Sequence, residues 1–77
     1  MTKLPILTGR EIIKALIKAG FIFRNQTGSH VHLIRVHEEK KYLVTVPDHG
    51  NKEIPIGTLL SIIRQSGMTR DEFLNKT

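Results

Sequence analysis

Gln26-Thr27-Gly28-Ser29-His30-Val31-His32 is the stretch on which the fold turns. Gly28 reaches φ > 0 at no steric cost, and Ser29 can bond its own turn backbone. A tight turn is therefore expected over residues 26–29, with His30 opening an apolar strand that runs to Val36. Side chains alternate along a strand with period two, so His30, His32 and Ile34 share one face and Val31 and Leu33 the other. Val31 and Leu33 go to the core and the histidines to solvent. Ile34 and Val36 fit that assignment poorly, and a β-bulge near residues 34–35 is the expected remedy.

Working outward, Phe21 to Asn25 reads as a strand with Phe21 and Phe23 on one face and Ile22 and Arg24 on the other. His37-Glu38-Glu39-Lys40-Lys41 is a polar turn, and Tyr42 to Val46 is a third strand ended by Pro47. Three strands on short links form an antiparallel meander.

Upstream, after a short lead-in over residues 1–7, Thr8-Gly9-Arg10-Glu11 is a capping box with Leu7 and Ile12 as its hydrophobic staple. Ile12, Ile13, Leu16 and Ile17 recur at helical spacing until Gly20 stops the helix. Arg10, Lys14 and Lys18 line its other side, as a solvated face or a track along phosphates.

Downstream, residues 47–55 form a polar loop carrying His49. Pro55 suits the first turn of a second helix. Ile56, Leu59, Leu60 and Ile63 give that helix its apolar stripe, with Ile62 beside it, and Gly67 ends it. Gly57 costs helix propensity, up to ~1 kcal/mol against alanine, so close packing is expected there. Thr69-Arg70-Asp71-Glu72 is a second capping box, opening a short helix whose Phe73 packs back onto the body. Both long helices are one-sided, so both should cover the same sheet face and leave the other open. The reading is α+β, one domain over residues 1–77.

Composition narrows the function. Without cysteine there is no disulfide framework and no thiolate zinc site, so an apolar core must hold the chain; 39% hydrophobic residues permit one. No segment approaches the roughly 20 apolar residues of a membrane span, and Met-Thr-Lys-Leu-Pro lacks a signal-peptide core. A soluble intracellular protein is expected. A net charge of +5 and a pI near 10.0 favour a polyanionic partner, nucleic acid first.

The chemistry available is narrow. His30, His32, His37 and His49 match no zinc-ligand spacing. No serine sits in a nucleophile elbow, and Gly28 stands alone rather than in a phosphate-binding loop. No acidic cluster suggests a two-metal nuclease. What remains is general acid–base chemistry by histidine, whose unperturbed pKa of about 6.5 suits proton transfer near neutrality. RNA carries its own nucleophile, the 2′-hydroxyl, so a metal-free ribonuclease needs a base, a proton donor and cations. His37 reads as a surface residue, His32 and His49 stay open, and His30 is the first choice.

Gly28-Ser29-His30 opening the second strand of a helix–three strands–helix order resembles the HicA toxins of toxin–antitoxin pairs. Ala19-Gly20-Phe21, Val46-Pro47 followed by His49, Ile56-Gly57-Thr58-Leu59, Gly67-Met68-Thr69 and Glu72-Phe73 are similar too, so the likeness spans essentially the whole chain. It implies the fold of double-stranded RNA-binding domains, α-β-β-β-α. It further implies a cytoplasmic mRNA interferase with His30 as the catalytic residue, no cofactor, and a HicB-type antitoxin that binds the toxin and blocks that histidine. A toxin–antitoxin hetero-oligomer is the implied assembly. Many members carry a second histidine or an arginine directly after the motif histidine, whereas here Val31 intervenes before His32. His32 and His49 are thus candidates for second proton carrier or substrate contact, and Arg24, Lys41 and Lys52 for holding phosphate. The alternative is a double-stranded RNA-binding module without chemistry. Such modules usually carry a Lys-rich start to the last helix, and Ile54-Pro55-Ile56-Gly57-Thr58 lacks one.

Overall fold

The computed structural model describes residues 4–77. The start of the lead-in, residues 1–3, lies outside the described residues. The elements follow in the order α1 (Gly9–Lys18), β1 (Ile22–Thr27), β2 (His30–His37), β3 (Lys40–Pro47), α2 (Ile56–Ser66) and α3 (Arg70–Leu74). The strands form one antiparallel sheet in the order β1-β2-β3. This is the α-β-β-β-α order read from the sequence, with the short third helix appended.

Local chemistry sets the helix starts. Thr8 accepts the amide of Glu11 at 3.3 Å while the Glu11 carboxylate accepts the Thr8 amide at 2.9 Å. Thr69 and Glu72 repeat the arrangement at 3.1 and 2.9 Å. The Glu72 carboxyl is held below its ordinary value of 4.5, first by the backbone amide of Thr69 and then by its hydroxyl. Gly9 packs against the Pro47 carbonyl so closely that any Cβ there would overlap it. That contact seats the N-terminus of α1 on the end of β3.

The core lies between the sheet and the helices. Ile12 and Leu16 of α1, Leu59 and Ile62 of α2, Leu33, Val44 and Val46 of the sheet, and Phe21 and Phe73 are all essentially inaccessible. Among the sheet contacts of the long helices, those with β3 dominate. Among the described residues, no helix covers the other sheet face.

Several details differ from the sequence reading. The first strand runs from Ile22 to Thr27, so the turn contracts to Gly28-Ser29, with Gly28 at φ +58°. Gln26 braces that turn instead of the Ser29 hydroxyl, donating from Nε2 to the Gly28 carbonyl at 2.9 Å. The bulge lies in β1, not at residues 34–35: Phe23 pairs with Leu33 and Asn25 with His32, leaving Arg24 extra. Phe23 points to the helix side yet stays 57% exposed, because β1 is an edge strand and every residue in it is exposed. Ile17 and Ile56, counted in the apolar stripes, are exposed, and Ala15 takes part in the α1 core instead. Pro55 is the residue before α2, not part of its first turn. A Cβ at Gly57 would meet nothing within 4 Å, so packing does not require that glycine.

Candidate functional site

The open face of the sheet is built in cross-strand rows. Thr27, His30 and Pro47 make the first row, and Asn25, His32 and Thr45 the second. His30 is exposed at the first position of β2, immediately after the turn. His32 follows two residues along the same face, about 7 Å away at the standard strand rise. Its Nδ1 lies 3.0 Å from the Thr45 hydroxyl, which fixes the ring's orientation and leaves Nε2 for other partners. Arg24, pushed out by the bulge, lines a shallow depression with Asn25 and His32.

The third histidine comes close through the backbone. The Asp48 amide donates to the Ser29 carbonyl at 2.7 Å, tying the loop to the residue before His30. The Asp48 carboxylate accepts the Gly50 amide at 3.2 Å and pairs with Arg10 Nε at 3.7 Å. The exposed His49 therefore leaves β3 from a clamped point beside the turn. Lys52 closes the loop, its amide donating to the His49 carbonyl at 3.4 Å.

One end of the molecule thus gathers Gly28, Ser29, His30, His32, Arg24 and the loop of His49 and Lys52. Lys41 is not among them. It pairs with Val36, six residues up β2 from His30, or about 20 Å along the strand. His37 sits at that far end, 3.7 Å from Glu38 in an exposed pair of little energetic weight.

Thr45 and Asp48 escaped the sequence reading, and Arg10, weighed there only as part of a basic stripe, pairs with Asp48. Only the β2–β3 register sets Thr45 opposite His32. Nothing in Pro47-Asp48-His49 announces that Asp48 bonds a turn nineteen residues earlier.

A family model described as "HicA toxin of bacterial toxin-antitoxin" matches residues 9–68, from the first residue of α1 to just past α2. The chain belongs to the HicA toxin family. Its role is that of the toxin in a toxin–antitoxin system, and an antitoxin is its partner. No match was found among curated proteins. The HicA match takes in the turn, all three strands, His30, His32 and His49, but stops short of α3. No helix among the described residues is long and apolar enough to cross a membrane.

Proposed function

We propose that this HicA toxin is a metal-independent endoribonuclease that cuts mRNA in the cytoplasm, as a single domain, and is neutralised by a HicB-type antitoxin. The observation that carries the reading is the pair His30 and His32, two residues apart on one open sheet face, with backbones about 7 Å apart at the standard strand rise. That spacing suits one base and one acid bracketing a single phosphodiester.

In the reaction, one imidazole takes the proton of the 2′-hydroxyl. The 2′-oxygen attacks phosphorus, the bond to the 5′-oxygen breaks, and the other imidazole protonates that oxygen. The products are a 2′,3′-cyclic phosphate and a 5′-hydroxyl. His30 is one proton carrier and His32, held by Thr45, is the other. His49 contacts substrate, and Arg24 and Lys52 hold phosphate against the developing charge. Lys41 serves a phosphate farther along the strand.

The test is induction of the wild-type gene beside His30→Ala, with growth and total mRNA integrity followed over time. Arrest and mRNA loss in the wild type alone are expected. Equal arrest in both overturns the role of His30. If both are harmless and the protein still binds RNA, it is a non-catalytic double-stranded RNA-binding module.

A further inference from the structure

The open face changes character along its length. Beyond the histidine rows, Ile22, Ile34 and Leu43 form one cross-strand row, and Val36 extends it toward the far end. Ile22 is 65%, Leu43 53% and Val36 62% exposed. Side chains directly opposite across strands stand roughly 4.5–5.5 Å apart, so these aliphatics touch one another. Exposed aliphatics scattered singly are ordinary, but a contiguous set on an uncovered sheet face marks an interaction site.

The row has the wrong chemistry for RNA. Bases stack on aromatic rings and guanidinium planes, and phosphates need cations, whereas Ile22, Ile34, Leu43 and Val36 offer neither. Its surroundings favour a protein of particular charge. The three strands contain no Asp or Glu, while Arg24 and Lys41 flank the row on the same face. An occupant with an apolar centre and a carboxylate rim fits.

We infer that this aliphatic row is the anchoring surface for the antitoxin, through an apolar segment edged with acidic residues. The inference rests on the proposed reading that the histidine end of this face is the cutting site. Size connects the two ends. Eight residues by three strands give a planar footprint of roughly 26 × 14 Å, and a stable interface buries about 800 Å² per partner. Even the whole face falls short of that area, so a protein anchored on the row covers the rest of the face, His32 and His30 included, and reaches beyond it. Affinity and inhibition then occupy opposite ends of one surface and are separable by substitution.

The test is calorimetric titration of the toxin with its cognate antitoxin, using wild type, Leu43→Glu and Ile22→Glu, with circular dichroism to verify folding. Val36→Glu replaces any variant that fails to fold. Ile56→Glu, at an exposed aliphatic of α2 off this face, is the control. A loss of tenfold or more in affinity is expected for the row variants, with the control within twofold of wild type. In cells, Leu43→Glu should still arrest growth but escape rescue by the antitoxin. Unchanged affinity in the row variants overturns the inference. So does loss of RNA cleavage with intact antitoxin binding, which gives the row to RNA. Because affinity is read without RNA, a wild type that does not cut RNA overturns the proposed function, while the affinity result still decides the anchoring surface.

Discussion

His32 and Thr45 face each other across β2 and β3 at 3.0 Å, and this contact engages Nδ1 and leaves Nε2 as the ring nitrogen for the proton transfer proposed above. Thr45→Val removes the hydroxyl while keeping the branched shape. One hydrogen bond contributes about 0.5–1.5 kcal/mol net, so kcat/KM for RNA should fall roughly two- to tenfold. Thermal stability should barely move. An unchanged rate would show that the Thr45 contact does not position His32 for the chemistry. Two glycines give a stability contrast of opposite sign. Gly67 ends α2 at φ +75°, and a Cβ there would run into the Tyr42 ring. Gly67→Ala should cost about 1–3 kcal/mol through backbone strain and overpacking. Gly57 has helical backbone and open space, so Gly57→Ala should stabilise by about 0.4–1 kcal/mol. Denaturant midpoints of the two variants should bracket the wild type.

At the scale of elements, α3 is five residues long, and an isolated helix that short does not persist in water. Two things hold it. The Thr69–Glu72 box satisfies its first amides, and Phe73 is fully buried. Phe73→Ala should cost roughly 3–5 kcal/mol by leaving a cavity, against about 1 kcal/mol for Thr69→Ala. Urea unfolding separates the two, and near-equal effects would mean that Phe73 contributes little to the core. Both capping boxes were legible in the sequence because each is closed by residues three apart. The Gly28 turn and the inward Val31 and Leu33 were legible for the same local reason. The bulge at Arg24 was not, because an extra residue is defined only against a partner strand. Nor was the exposure of Phe23, Ile17 and Ile56, since helical and strand periods do not say how far one layer overhangs another. Glu38 and Glu39 both take positive φ at the β2–β3 turn, a conformation their residue type does not announce. At the site, the exposed placement of His30 at the start of β2 was legible from the sequence because its turn is local. The contacts of Thr45 and Asp48 were not, because their partners lie thirteen and nineteen residues away.

For the molecule as a whole, a net charge of +5 and strands free of carboxylates suit the sheet to the RNA proposed for its histidine end and to the antitoxin proposed for its aliphatic end. RNA binding should therefore weaken steeply with salt. Each phosphate contact contributes about 0.7 to the slope of log K against log salt for a single strand. Replacing Arg24 and Lys52 together by alanine should lower that slope by roughly 1.4, as fluorescence anisotropy of labelled RNA on a His30→Ala background would show. An unchanged slope would place the phosphates elsewhere, the Arg10, Lys14 and Lys18 face of α1 being the next candidate. The central claim is that an imidazole at position 30 moves the proton that lets RNA cut itself. Its most direct test is the rate of RNA cleavage by purified wild type and His30→Ala in the presence of a metal chelator. Loss of one general acid–base group should slow cleavage by about 10²–10⁴, and the wild type should leave 2′,3′-cyclic phosphate and 5′-hydroxyl ends. Cleavage by His30→Ala at the wild-type rate, or wild-type cleavage that stops with the chelator, would contradict it.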